Sequence, residues 1–202
     1  MLKYQDLLLR AWLLAGLVFH KVVWEIMKLR KGGAPTRRGL SLKARLFSLV
    51  KVVILASLIV QIFVPDIFPI SQNPAMLRAS GAVLYTFGLL LAVTARIQLG
   101  MNWSDIEKSR VVEGHRLVAR GLYRYVRHPI YTGDLILLAG FELALNSWAV
   151  LGVAAVALYV RKQAIGEERK LLSSLQGYEK YYQETSRFVP LFRKNNQLPE
   201  LK

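Results

Sequence analysis

The sequence has 202 residues, of which 53% are hydrophobic, and it nevertheless carries a formal net charge of +15. Apolar runs separated by basic loops are typical of a polytopic membrane protein, whereas a soluble domain rarely combines the two properties. There is no cysteine and there are three histidines, which excludes disulfides and zinc-thiolate sites, and we expect no metal site. The basic residues lie in loops and the tail rather than along one helical face, so no nucleic-acid partner is expected.

Three apolar stretches in the first half have the length of a membrane-crossing helix. They cover residues 7–27, 46–64 and 79–99, and each suits a bilayer core of about 30 Å. The first contains His20, which we interpret as an interfacial or helix-contact residue rather than a ligand. The third contains Arg96 near its end, where the side chain is expected to snorkel towards the headgroups.

A fourth apolar run covers residues 131–160 and is too long for one crossing. A single helix of this length would extend about 45 Å. Asn146 and Ser147 lie near its middle and favour a turn, so we predict a helical hairpin whose tip faces the non-cytoplasmic side. Glu142 lies inside the hairpin, either as a functional acid or as the acceptor of a helix–helix hydrogen bond. The fold class is therefore all-α, a polytopic membrane protein with about five transmembrane helices.

The basic residues orient these helices. Five crossings place the loops at 28–45 and 100–130 on the same side as the tail from Arg161, and the positive-inside rule makes that side cytoplasmic. The N-terminus and the connection at 65–78 then lie on the non-cytoplasmic side. We expect Asn102, Trp103 and Ser104 at the headgroup level. The chain is predicted to be a single integral membrane domain, 1–202, with three transmembrane helices in 1–99 and a catalytic region in 100–192.

The stretch from Gly121 to Gly133 concentrates cationic, aromatic and turn-forming residues immediately before the hairpin. Pro129 disfavours a helical conformation at His128, and the two glycines permit a close approach of other groups to the backbone. Such a segment suits a rigid polar lining at the membrane edge. After the hairpin, the tail from Arg161 is predicted to begin as an amphipathic helix, which Gly177 kinks or ends.

A hairpin returns the chain to the side that it left, so its two flanking polar segments, 114–133 and 161–192, should meet at the cytoplasmic face. The meeting brings together an imidazole, aromatic rings, cations and paired carboxylates, contributed by His128, Tyr131, Arg161, Glu167 and Glu168. Such a region suits a zwitterionic cofactor with an aromatic base. The GxGxxG signature of a dinucleotide-binding fold is absent.

The residues from Arg127 to Gly133 match the pattern RHPxYxG, and the paired glutamates Glu167 and Glu168 are followed by Leu171, Gly177, tyrosines and Arg187-Phe188-Val189-Pro190. Together these motifs resemble the isoprenylcysteine carboxyl methyltransferase and phospholipid methyltransferase superfamily over roughly residues 114–192. The resemblance implies S-adenosylmethionine as cofactor. It implies cofactor contacts by His128, Pro129, Tyr131, Gly133, Glu168, Tyr123, Leu117 and Val118. It also implies catalytic roles for Glu167 and Arg161, the latter as the substrate-facing cation, with Lys162 as an alternative.

The resemblance thus predicts methyl transfer to a lipophilic substrate that enters from the bilayer and carries an isoprenylcysteine-like or other isoprenoid or lipid carboxylate. Eukaryotic members of the family often have Asn-Pro after the central motif, whereas Asn146 is followed here by Ser147, so the substrate class stays open. The alternatives are a phospholipid amine N-methyltransferase, a nicotinamide-dependent sterol-type reductase, which shares the histidine–proline–tyrosine motif, and a non-catalytic membrane protein. Membrane lipids are the other expected partners.

Overall fold

The structure is a computed structural model that describes residues 2–30, 42–64, 67–102 and 116–190. Its described parts are helical, apart from turns and two isolated β-bridges. The α-helices are α1 (Leu2–Arg30), α2 (Leu42–Phe63), α3 (Ala75–Leu99), α4 (Pro129–Ala144), α5 (Gly152–Ser174) and α6 (Tyr178–Glu184). Short 3₁₀ helices cover Gly100–Asn102, Gly121–Arg124 and Trp148–Leu151. The all-α fold class is confirmed.

Helices α3 and α4 form the most extensive helix pair in the described residues. Their backbones approach closely because glycines lie on both sides of the contact. A Cβ atom added at Gly133 would lie 2.5 Å from the backbone nitrogen of Ala92, and one at Gly140 would lie 2.7 Å from the backbone carbon of Leu84. Small residues at helix interfaces are typical of membrane proteins, where close packing replaces the hydrophobic driving force. This pair joins the expected N-terminal and catalytic halves into one packed unit.

Helix α1 packs against the same pair through a buried tyrosine. The Tyr85 hydroxyl donates to the Leu13 carbonyl at 2.7 Å, and the Tyr85 ring occupies the space that a side chain at Gly16 would need. Tyr85 and Leu13 are fully buried and belong to the main hydrophobic core, with Phe141 of α4. The sequence interpretation of Glu142 as a helix-contact residue is supported here, because the Gln61 amide on α2 donates to its carboxylate at 3.3 Å.

The predicted hairpin is confirmed by the position of its turn. Helix α4 ends at Ala144, and Asn146 adopts a left-handed backbone conformation with φ of 56°. Its side chain fixes the turn by exchanging two hydrogen bonds of 2.9 Å with the backbone of Ser71. Asparagine is one of the few residues that tolerate this conformation.

The tail from Arg161 is helical, as predicted, and one local expectation, that for Arg96, was wrong. Residues 161–174 continue α5 without a break, because a change from apolar to polar residues does not break a helix when no proline intervenes. The helix then stops, Leu175 is extended, and Gly177 with φ of 79° precedes α6. Arg96 does not snorkel: it is fully buried and donates to the Gly100 carbonyl at 3.0 Å.

Within the described residues, three helices are long and apolar enough to cross a membrane. They lie at Asp6–Arg30, Ala75–Leu99 and Trp148–Ser174, and Val52–Phe63 is a shorter apolar helix. The number of five crossings therefore stays a prediction. The cationic segment 31–41, Trp103 and Ser104 lie outside the described residues, as do residues 114 and 115 and the end of the tail.

Candidate active site

The stretch from Gly121 to Gly133 leads into α4 and forms its first turn. Gly121 has φ of 60°, and the Gln98 side chain occupies the space beside it and accepts a 2.8 Å hydrogen bond from the Leu122 N–H. His128 is the residue immediately before α4, with a non-helical backbone, and Pro129 occupies the first turn. A proline in this position is favoured because its missing N–H would be unpaired anyway. Pro129 thus determines where α4 starts, and His128 is the residue immediately before its first turn.

The segment after α6 lies alongside this motif. The backbone N–H of Arg127 donates to the Ser186 carbonyl at 2.8 Å, and that of His128 donates to the Arg187 carbonyl at 3.0 Å. The Thr132 hydroxyl donates to the Phe188 carbonyl at 3.1 Å. The expected meeting of the two polar segments is therefore present in the described residues, held by main-chain as well as side-chain bonds.

Glu168 lies at the centre of this meeting and is only 2% exposed. One of its oxygens accepts from Arg127 Nε at 2.9 Å and from Arg187 Nε at 3.0 Å, and the other accepts from the terminal nitrogen of Arg187 at 2.7 Å. His128 Nε2 lies 3.2 Å from the first oxygen. These contacts raise the pKa of Arg187, through its hydrogen bonds to the carboxylate. Both oxygens of Glu168 thus have partners within the protein, and its expected contact with a cofactor stays a prediction.

Glu167 differs from its neighbour because its carboxylate is only partly used. Its side chain is 31% exposed. The Tyr131 hydroxyl donates to one oxygen at 2.6 Å, while the other lies 3.8 Å from His128 Nδ1. The rings of His128 and Tyr131 stack with 5.4 Å between centroids and an interplanar angle of 10°. This arrangement offers one accessible carboxylate beside two aromatic faces, which is suited to a positively charged group.

Tyr123 lies buried below this region, and burial raises the pKa of its phenol, as it does for Tyr178 and Tyr181. The Tyr181 hydroxyl donates to the Tyr123 carbonyl at 2.7 Å. The Tyr123 hydroxyl is buried and has no hydrogen-bond partner among the described residues. A buried hydroxyl without a partner is rare in folded proteins and is satisfied when a polar group binds next to it.

The other predicted site residues are placed less centrally. Val118 packs against the small core around Tyr123, and Leu117 lies near Gly177. Gly133 faces α3 rather than the polar cluster, so the close approach expected at this residue is made by Ala92. Arg161 and Lys162 are exposed on α5. Arg161 lies seven residues before Glu168, about 10 Å along the helix.

Two arginines of the site were not among the predicted site residues. The side chain of Arg127 is 8% exposed, and its guanidinium lies 4.3 Å from the Tyr182 ring centroid. Arg187 is 60 positions further along the chain, so only the fold brings it to the same carboxylate. A cleft of about 460 Å³ is lined by Arg127 and by residues 182–189, which include Arg187. The signal that could have found Arg187 was its place beside Pro190 in the second motif.

Comparison with known proteins supports a common origin for this region. The chain is 33% identical over 107 residues to the protein-S-isoprenylcysteine O-methyltransferase of Schizosaccharomyces pombe, covering 52% of this chain and 45% of that protein. It is 32% identical over 113 residues to the protein-S-isoprenylcysteine O-methyltransferase B of Arabidopsis thaliana, covering 54% and 57%. The chain thus spans about half the length of the curated relatives that it matches.

The fold is also similar to a solved structure. The eukaryotic intramembrane Ras methyltransferase, isoprenylcysteine carboxyl methyltransferase, superimposes with a TM-score of 0.55 at 22% identity, covering 73% of this chain and 53% of that one. With its three helices of membrane-crossing length, this likeness identifies the chain as an integral membrane protein. The model of the phospholipid methyltransferase family matches residues 76–179, which is just over half of the chain and includes His128, Glu167 and Glu168. The protein therefore belongs to that family.

Proposed function

We propose that this protein transfers a methyl group from S-adenosylmethionine to the carboxylate of a lipophilic, isoprenylcysteine-like substrate within the membrane. The observation that carries the proposal is the accessible carboxylate of Glu167 beside the stacked rings of His128 and Tyr131. These groups lie at the ends of α4 and α5, so the site borders the apolar helices. The names of the relatives, all of them isoprenylcysteine O-methyltransferases, support the choice of substrate class.

The residues present fit the chemistry of this cofactor. Glu167 and the adjacent rings suit its ammonium or sulfonium group, and the unsatisfied Tyr123 hydroxyl offers a further polar contact. The bound cofactor supplies an electrophilic methyl group on a sulfonium. In this proposal Glu167 binds the positively charged group of the cofactor, and His128 and Tyr131 orient the Glu167 carboxylate. Glu168 positions His128 through the contact at 3.2 Å. We propose Val118, Leu117 and Pro129 as wall residues.

A carboxylate nucleophile requires alignment and exclusion of water, and it needs no general base. A phospholipid amine would first have to lose a proton, for which Glu167 or His128 is available. The amine substrate is the second candidate because the matching family model is named for phospholipid methyltransferases. The family match argues against the nicotinamide-dependent reductase. Arg161 is proposed as a substrate-facing cation from the sequence alone, since it contacts no group of the site.

The proposed orientation places the C-terminus and the site on the cytoplasmic side and the N-terminus on the other side. It rests on the basic segments around residues 28–45 and 100–130 and on the positive-inside rule. In this orientation the lipophilic substrate reaches Glu167 from the cytoplasmic leaflet of the bilayer.

The test is transfer of labelled methyl groups from S-adenosylmethionine to N-acetyl-S-farnesylcysteine by the purified protein in lipid nanodiscs. We expect turnover by the intact protein and its loss in Glu167→Gln, while Glu179→Gln, a change at an exposed glutamate of α6, serves as the matched control. Transfer to phosphatidylethanolamine but not to the acid would establish the amine alternative. Failure of the intact protein to bind S-adenosylmethionine would overturn the proposal and leave a non-catalytic protein.

A further inference from the structure

A second polar contact lies on the membrane side of the site. His20 of α1 and Asp134 of α4 approach to 3.0 Å between Nε2 and Oδ1. The pair joins α1, which lies outside the matched family region, residues 76–179, to α4, which lies inside it. Asp134 lies five residues after Pro129, about 7.5 Å along α4. An ionisable pair at this depth is costly and is functional by default.

Helical spacing and one hydrogen bond connect this pair with the proposed reacting region. Asp134 and Tyr131 are three residues apart on α4 and therefore neighbours on its surface, and the Asp134 carboxylate interacts electrostatically with the Tyr131 hydroxyl. That hydroxyl in turn donates to Glu167. The His20–Asp134 pair thus lies one side chain away from Glu167.

The His20 ring contacts Trp24 through one face and Asp134 through one of its two nitrogens. It stacks on Trp24 with centroids 3.9 Å apart, and Nε2 faces Asp134. Nδ1 has no hydrogen-bond partner among the described residues. The side chains of His20 and Asp134 are 24% and 40% exposed. In a doubly protonated ring both nitrogens donate, so with Nε2–H bound to Asp134 the Nδ1–H would be left to donate to a bound anion.

A carboxylate that leaves water for the membrane needs a cation to meet it, because an unpaired charge there is expensive. The two guanidiniums of the site, Arg127 and Arg187, are already engaged by Glu168. Lys21 and Lys28 of α1 both pair with Glu25. Arg161, exposed on α5, is already proposed as a substrate-facing cation. His20 is a second cation-capable group in the described part of the chain, whose Nδ1 is not engaged by Asp134 and which a chain of neighbours through Asp134 and Tyr131 links to Glu167.

We propose that His20, held by Asp134, binds the carboxylate of the lipophilic substrate next to the Tyr131–Glu167 pair. This inference rests on the proposed function and deepens it. His20 receives the anion through Nδ1–H, while Asp134 fixes the ring and balances its charge. The pair also joins α1 to α4, so a purely anchoring role is the alternative that the experiment has to separate.

The experiment measures KM and kcat for N-acetyl-S-farnesylcysteine and the inhibition constant of its neutral carboxamide, in the intact protein and in His20→Gln. We expect KM for the acid to rise about tenfold, the scale of one charge-assisted hydrogen bond, with kcat and the carboxamide constant unchanged. His20→Lys, which keeps a positive charge beside Asp134, should restore KM to within about threefold. Lys21→Gln, which removes an exposed ion pair of the same helix, should leave all three quantities unchanged.

Two results would overturn the inference. One is an unchanged KM in His20→Gln. The other is a parallel rise of KM and the carboxamide constant, which would mean that His20 anchors helices and does not recognise charge. If His20→Gln does not fold, Asp134→Asn applies the same test because it keeps the shape of the side chain and removes the balancing charge. Absence of acid turnover in the intact protein would instead refute the proposed function, so the two failures are distinguishable.

Discussion

Substitution of Gly140 by alanine tests whether the contact between α3 and α4 limits the stability of the protein. The added Cβ would lie 2.7 Å from the backbone carbon of Leu84, whereas ordinary contact begins at 3.4 Å. The backbone nitrogen of Tyr85 is closer still, so the two helices must separate by more than about 0.7 Å at this point, or α4 must bend away. Because the obstacle is main chain, rotation of a side chain cannot relieve the clash. Overpacking of this kind costs about 1–3 kcal/mol.

The same substitution at Gly166 of α5 provides the matched control. Outside the neighbouring backbone of its own helix, no atom of the described residues lies within 4 Å of the Cβ position at Gly166. In a helix interior alanine is more stable than glycine by about 0.5–1 kcal/mol. Gly140→Ala gains this propensity too, so its net effect should be a loss of about 1–2 kcal/mol. Two identical chemical changes in two helices of one chain should thus alter the free energy of unfolding with opposite signs.

The assay is thermal unfolding of the detergent-purified protein, followed by tryptophan fluorescence. One kcal/mol corresponds to about 2–4 °C in Tm for a domain of this size, so Gly140→Ala should melt about 2–8 °C below the parent and Gly166→Ala slightly above it. If Gly140→Ala melted at or above the temperature of Gly166→Ala, the close approach of α3 and α4 would be refuted as the dominant packing contact.

Three further substitutions test the site and the hairpin. Glu168→Gln removes the charge that balances two guanidiniums and should destabilise the protein by about 3–5 kcal/mol, seen as a large fall in Tm; an unchanged Tm would contradict the central role of this carboxylate. Tyr131→Phe removes the hydrogen bond to Glu167 and should lower kcat about tenfold with little change in Tm, whereas unaltered turnover would show that Glu167 needs no such partner. Asn146→Ala loses both hydrogen bonds to Ser71 and places alanine in a left-handed conformation, so we expect a loss of about 2–3 kcal/mol in chemical denaturation; a smaller loss than in Ser147→Ala would argue against the turn as described.

The features that the sequence predicted well depend on local rules. Pro129 determines the start of α4 because its ring suits the first turn of a helix and disfavours a helical conformation at the preceding residue. Asn146 marks the turn because it tolerates a positive φ. The length of the run at 131–160 then requires a hairpin, and a hairpin brings its two ends together. Each step follows from chain geometry, and the neighbourhood of His128, Tyr131, Glu167 and Glu168 follows from these steps.

The features that it missed depend on tertiary contacts. The sequence does not distinguish the two adjacent glutamates. Glu168 is buried because the fold brings Arg127 and Arg187 to its carboxylate, whereas Glu167 remains partly exposed. Gly133 belongs to a recognisable motif, yet the group that approaches it is Ala92 of a neighbouring helix. Arg96 was expected to reach water because long cations usually do; a carbonyl at the end of its own helix satisfies it internally instead.

The backbone hydrogen bonds from Arg127 and His128 to the carbonyls of Ser186 and Arg187 imply an order of events during synthesis. Arg127 and His128 leave the ribosome almost sixty residues before Ser186 and Arg187. Until Ser186 and Arg187 emerge, the backbone N–H groups of Arg127 and His128 and the Arg127 guanidinium have to be satisfied by water or lipid headgroups. Membrane insertion of the helices can therefore precede the formation of a competent site, and a translation product interrupted after α5 would be inserted and inactive. Under the proposed function, methyl transfer would therefore be expected only from chains whose synthesis has passed residue 187.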